Sequence, residues 1–334
     1  MAILVLLIAA VVSGGFLAVV SLRPSPTGPF TTTTTQPPLT TMELFIWTQG
    51  AEMLTPRTEV AAVALANEVF VIGGFEANGS ASNQVEVYDT LADLWTEVSA
   101  LPVGLNHVGA AVFNGKIYVI GGYMERGVPS DVVWIYDPEN DTWTSGSKMP
   151  TPRGALTVQV IDGKIYAVGG AIGGRALSTN EVYDPISDSW ATRAPMPTAR
   201  EHLAPGAVNG KMYMIGGRAG SLLSNMDVNE EYDPVSDSWS KKAPMPSKRG
   251  GIVGAVVNEK IYVFGGEGSS GTFNNNEEYD PKTDSWTIRE PMPTARHGLS
   301  AATVGDRIFV IGGGTSPGLS VSGVNEILAI REQQ

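Results

Sequence analysis

The stretch Asn114-Gly115-Lys116-Ile117-Tyr118-Val119-Ile120-Gly121-Gly122 combines a turn signal, a run of four apolar residues and a glycine pair. Asn-Gly tolerates positive φ at both central positions of a two-residue turn, so it closes a tight hairpin. The apolar run is short and rich in β-branched and aromatic side chains, which reads as a buried strand. The pattern then repeats. Glycine pairs stand at Gly73-Gly74, Gly121-Gly122, Gly169-Gly170, Gly216-Gly217, Gly265-Gly266 and Gly312-Gly313, separated by 48, 48, 47, 49 and 47 residues. A period near fifty marks a repeat architecture.

Working outward, each turn is preceded by a run of small apolar residues such as Ala110-Ala111-Val112. Each glycine pair is followed by a variable polar loop and then by a tyrosine strand such as Glu181-Val182-Tyr183. A turn such as Asp184-Pro185-Ile186-Ser187-Asp188 leads to a tryptophan strand at Trp95, Trp143, Trp190, Trp239 and Trp286. The repeat therefore predicts four antiparallel strands, a to d. Units of this size stack radially into a propeller. The fold class predicted is all-β: a six-bladed β-propeller of four-stranded antiparallel blades over residues 44–331. The last repeat has Val324-Asn325-Glu326-Ile327-Leu328 as strand c and no tryptophan strand after it. Trp47, however, precedes Arg57 by ten residues, the spacing of Trp143 to Arg153 and Trp190 to Arg200. Residues 44–48 are thus expected to supply strand d of the sixth blade and close the ring, which removes the open end a linear array must cap.

Ahead of the propeller, residues 1–22 carry no charged side chain, long enough as a helix to span a bilayer core. Residues 23–43 are dense in threonine and proline, an extended spacer. The expectation is a membrane anchor and stalk holding the propeller outside the cytoplasm. A cleaved secretory signal is the alternative, and a pilin-like assembly helix a third. The net charge of -12 argues against a nucleic-acid partner. The absence of cysteine excludes disulfides, thiolate metal sites and cysteine nucleophiles. Acidic c–d turns and basic d–a segments predict a molecule with two oppositely charged faces.

The glycine pairs, the tyrosine-aspartate step, the tryptophan after it and segments such as Met149-Pro150-Thr151-Pro152-Arg153 together resemble the kelch-repeat family, over roughly residues 45 to 330. The resemblance implies a binding platform. The family's copper enzyme needs a cysteine-linked tyrosine, so that activity does not carry over. Arg57, Arg153, Arg200, Arg249 and Arg296 form one column, with Leu105 in their place in the one remaining copy. They are expected at the start of strand a, ringing the channel mouth on the face of the d–a and b–c loops. In peptide-binding kelch propellers this face supplies arginines for acidic groups. The competing reading is that the arginines bond loop carbonyls and brace the blades.

His107, His202 and His297 are each 95 residues apart, in alternate repeats. His297 is offset by one residue within its repeat, which in a strand turns a side chain to the other side. Alternate blades are also expected to stand too far apart to share an ion, so the histidines read as loop residues near the channel mouth, and no metal and no cofactor are expected. Phe75, Tyr123, Arg175, Arg218 and Glu267 follow the glycine pairs and vary. Aromatics beside arginines suit recognition. Candidate ligand-binding residues are therefore Arg57, Arg153, Arg200, Arg249, Arg296, His107, His202, Tyr123 and Arg218. Glu181, Glu231 and Glu278 recur between repeats, which fits blade maintenance better than catalysis. The expected function is a membrane-tethered module binding an acidic protein segment or an acidic glycan. The resemblance also admits a carbohydrate-acting enzyme of the sialic-acid mutarotase type, or an intracellular adaptor.

Overall fold

The computed structural model describes residues 42–333. The apolar segment 1–22 and nearly all of the Thr/Pro-rich spacer lie outside the described residues. Among the described residues no helix is long and apolar enough to cross a membrane.

Six antiparallel sheets form the blades, each with four strands in the order a-b-c-d; in blade 5 the short strand Gly271–Thr272 also pairs with strand b. Blade 1 comprises Ala61–Leu65, Glu68–Ile72, Val85–Asp89 and Leu94–Glu97; blade 2 comprises Gly109–Phe113, Lys116–Ile120, Val133–Asp137 and Thr142–Ser145. Blade 3 runs through Thr157–Ile161, Lys164–Val168, Asn180–Asp184 and Ser189–Thr192; blade 4 through Ala204–Val208, Lys211–Ile215, Asn229–Asp233 and Ser238–Lys241. Blade 5 holds Gly250–Val257, Lys260–Gly268, Asn276–Asp280 and Ser285–Arg289. In blade 6, Ser300–Val304, Arg307–Ile311 and Asn325–Gln333 are completed by Met42–Gln49 from the other end of the described chain. Trp47 lies opposite Leu328 in that pairing.

Beyond its first residue every b strand is buried, and apolar clusters fill the gaps between neighbouring blades. Between blades 1 and 2, for example, Phe70, Ile72 and Val85 meet Leu101, Ile117 and Val119. Each such side chain contributes about 1.5–3 kcal/mol of burial. The glycine pairs make close approach possible. In blade 2, Gly121 and Gly122 have φ of 68° and 91°. A Cβ on Gly121 would stand 2.7 Å from the Arg153 carbonyl oxygen of the next blade. The Gly122 amide donates to that oxygen at 2.9 Å. The repeating pair thus serves blade-to-blade contact as well as the turn.

A second inter-blade link uses both backbone groups of one residue. The Ser147 amide donates to Asp188 Oδ1 at 2.6 Å, and its carbonyl accepts from Trp190 Nε1 at 2.8 Å. Tyr183 donates its hydroxyl to the same aspartate oxygen. The arrangement recurs at Ala51, Ser99, Ala194 and Ala243. At the closure Trp47 keeps its bond, to the Glu290 carbonyl at 3.2 Å, while Leu328 stands where other blades carry tyrosine. On the opposite face of the loops, Lys116, Lys164 and Lys211 of the a–b turns pair with Asp137, Asp184 and Asp233 of the c–d turns. The contrast between two charged faces is accordingly weaker than the sequence suggests.

Candidate functional site

The arginine column does not reach the mouth. Arg57, Arg153, Arg200, Arg249 and Arg296 are all 0% exposed. Each pairs with the glutamate of strand c in its own blade: Arg57 with Glu86 at 3.0 Å, Arg153 with Glu181 at 2.6 Å, Arg200 with Glu230 at 2.7 Å, Arg249 with Glu277 at 2.8 Å and Arg296 with Glu326 at 2.8 Å. Each also donates to the carbonyl of the first glycine of its own pair, as Arg200 does to Gly216 at 2.7 Å. Burial lowers the affinity of every one of these guanidinium groups for its proton, and the partner glutamate opposes that. The column braces blades, and its nitrogens are turned into the protein. In blade 2 both partners are apolar: Leu105 replaces the arginine and Trp134 the glutamate, and both join the apolar cluster there. An ion pair exchanged as a unit for apolar side chains is the pattern of an internal brace.

Two residues after the column, the chain does something else. Glu59, His107, Ala155, His202, Gly251 and Gly298 all adopt positive φ, between 52° and 69°. Their backbones form a closed ring of hydrogen bonds around the axis. Glu59 donates to the Gly298 carbonyl at 2.6 Å, His107 to Glu59 at 3.0 Å, Ala155 to His107 at 3.0 Å, and the ring continues through His202, Gly251 and Gly298 at 3.1 Å each. Four of these residues are not glycine, and left-handed backbone at non-glycine positions clusters at functional sites. The turn carries the side chains to the axis. His107 and His202, from blades 2 and 4, have ring centroids 4.8 Å apart. Glu59 Oε2 lies 3.3 Å from His107 Nε2 and 3.7 Å from His202 Nε2. His297 joins them, its Nδ1 at 3.5 Å from Glu59 Oε1 and 3.6 Å from Glu267 Oε1. The expectation that the histidines stay apart is corrected: the offset of His297 does not exclude it, because these residues lie in the irregular turn before strand a, where strand alternation does not apply. The liganding atoms of Glu59, His107 and His202 all fall within 4.8 Å of one another.

The walls come from the residues after the glycine pairs. Tyr123 and Phe75 each set a ring edge against His107 at 5.6 Å. Arg218 bridges Glu201 at 3.0 Å and Glu267 at 2.7 Å. Arg175 stands apart, exposed in the short hairpin of Ala171–Ile172 and Arg175–Ala176. A cavity of about 160 Å³ runs down the axis from Glu59, His107 and His202. A second, of about 270 Å³, opens outward past Tyr123, Arg218 and Leu222, and His202 lines both.

Burial opposes charge on Glu59, but His107, His202 and His297 outweigh it and hold the carboxyl well below its usual range. Burial pushes His107 down against the pull of Glu59. Burial and the charge of Arg218 push His202 far down. Burial also acts against His297, yet its contacts with Glu59 and Glu267 raise it. The four groups act on one another: the well favours the charged form of Glu59 and of His297 and the neutral form of His107 and of His202. Sequence reasoning missed Glu59, Glu201 and Asn106. The signal was available: the column two residues after the arginines reads Glu, His, Ala, His, Gly, Gly, and so departs from the repeat where the rest of the blade conforms.

The sequence matches the KLHDC2/KLHL20/DRC7 Kelch-repeats domain over residues 9–217 and the Attractin/LZTR1 beta-propeller over residues 117–326. This chain belongs to the kelch-repeat β-propeller family. Among solved structures, that of YjhT superposes with a TM-score of 0.71, covering 85% of this chain and 99% of the other at 18% identity. That likeness is one of fold. Comparison with curated proteins returns no match.

Proposed function

We propose that this propeller is a binding module whose ligand enters the axial well on the face of the d–a and b–c loops. The observation that carries this reading is where the six-fold pattern breaks. The blades repeat one another in core and, blade 2 apart, in brace, and the differing residues Glu59, His107, His202, Arg218, Glu267 and Tyr123 meet at one end of the axis. The well sets three carboxylates, Glu59, Glu201 and Glu267, against Arg218 and His297. That balance suits a hydroxyl-rich glycan or the polar end of a protein segment better than a strongly acidic ligand. Aromatic edges at Tyr123 and Phe75 would pack the ligand's apolar faces.

Screening glycans and peptides against the full chain by calorimetry tests the reading. Arg218→Ala and Tyr123→Ala are expected to weaken any hit at least about tenfold, the scale of one interface anchor. Arg175→Ala is expected to leave it unchanged. Equal affinity in all three variants contradicts the proposal. The concave, ionisable well also favours a second reading, a carbohydrate-acting enzyme, and chemical turnover of a sugar in the same screen would select it.

Residues 1–22, free of charge along their length, support a membrane tether with the propeller outside the cytoplasm. Protease treatment of intact cells is expected to remove the propeller while the N-terminal segment stays in the membrane fraction. Complete protection, or a propeller recovered free in the medium, contradicts this.

A further inference from the structure

We propose that Glu59, His107 and His202 form a binding site for one divalent ion of the zinc class, open on the side of the axial well. The site deepens the reading of that well, and its test needs no organic ligand.

The geometry comes first. A tetrahedral zinc with bonds of about 2.0–2.1 Å has ligand-to-ligand edges of about 3.3 Å. The two edges from Glu59 Oε2 measure 3.3 Å to His107 Nε2 and 3.7 Å to His202 Nε2. The ligands come from blades 1, 2 and 4, and the closed backbone ring holds them in place.

The protons come next. His107 Nδ1 lies 2.7 Å from Asn106 Oδ1, an oxygen that only accepts, so the ring proton of the neutral imidazole sits on Nδ1. His202 Nδ1 abuts Glu201 Oε2, so a carboxylate oxygen stands behind this ring as well, on the side away from Glu59. Arg218 holds that glutamate by its other oxygen at 3.0 Å. Both imidazoles thus point a lone pair from Nε2 toward Glu59 Oε2, which is itself an acceptor. Three acceptors facing one another repel unless a cation stands between them. His202 Nε2 is buried and has no hydrogen-bond partner. An oxygen acceptor behind each ligating histidine is the arrangement that orients imidazole on a metal. His297 steadies the other side of Glu59, with Nδ1 near Oε1 and Nε2 donating to the Ser316 carbonyl at 3.1 Å.

The donor set selects the ion. Two imidazoles and one carboxylate favour zinc, cobalt or nickel over magnesium or calcium. Three protein ligands leave a fourth position, and His202 borders the outward cavity from which water or a ligand would fill it.

The test uses the full chain, made without a polyhistidine tag and stripped with a chelator. Calorimetry with Zn²⁺ is expected to give one ion per chain, and Co²⁺ loading the visible absorption of a tetrahedral site. His107→Ala and His202→Ala are each expected to bind zinc at least about tenfold more weakly, and Asn106→Ala about 10–100-fold more weakly. Alanine fits the ring, since Ala155 holds the equivalent place in blade 3 with φ of 52°. No zinc uptake by the stripped chain overturns the proposal, as does undiminished uptake by the His107→Ala/His202→Ala double variant. Absent zinc uptake with glycan or peptide binding retained would overturn this inference and leave the proposed function standing.

Discussion

At the scale of single residues, the arginine column and the ring two positions later divide structure from function. The column was legible as a column, because one residue type recurs at fixed distance from each tryptophan. Its burial was one of two open readings, binding at the mouth or bracing the blades, because recurrence says nothing about which way a side chain turns. The glutamates of strand c hold the missing half of the information, and Leu105 with Trp134 is the place where both halves change together. A buried pair broken on one side leaves a charge unanswered and costs about 3–5 kcal/mol. Arg153→Leu is expected to lower unfolding free energy by that amount in denaturant titrations. Adding Glu181→Trp, which copies blade 2, is expected to restore a large part of it. Additive losses from the two substitutions would contradict the brace. The histidines are legible as loop residues near the mouth, but not their meeting: strand alternation does not hold in a left-handed turn, where one backbone dihedral decides which way a side chain points.

At the scale of elements, the blade was readable almost strand by strand. Asn-Gly and Asp-Gly turns, four-residue apolar runs and the tyrosine and tryptophan strands each carry a local cause that tertiary context did not override. The c–d turn shows what the local reading left out. Its second aspartate reaches across to the neighbouring blade, a contact with no counterpart in local sequence. Asp93, Asp141, Asp188, Asp237 and Asp284 are all held below the usual carboxyl range. For Asp93 and Asp188 the neighbouring blade's amide is the larger cause; for Asp141, Asp237 and Asp284 it is the tyrosine hydroxyl. A folded-state value below the unfolded one stabilises above the unfolded pKa, about 3.9, and that stability is lost as pH falls through the folded value. Melting temperature is therefore expected to fall as pH is lowered below about 4, and to fall less steeply when several of these aspartates are changed to asparagine. A melting temperature that holds level on acidification would contradict the clasp.

At the scale of the whole molecule, closure brings distant parts of the sequence to one place. Pairing Met42–Gln49 with Asn325–Gln333 completes the sixth blade, and the Trp47-to-Arg57 spacing was the clue to it. The backbone ring closes where Glu59 donates to Gly298. The well is assembled from Glu59, His107, His202 and His297, from four different blades, so no single repeat contains it. That is why the site was less legible than the fold: each blade can be read alone, while the axis belongs to all of them.

The chain has three histidines, and all of them lie in the well. Histidine-selective NMR of the full chain therefore observes the proposed site and nothing else. On addition of Zn²⁺, and of any glycan or peptide found to bind, the account predicts shifts of the His107 and His202 ring signals. Saturable binding that leaves all three histidine signals unmoved would place the function elsewhere on the propeller and contradict it.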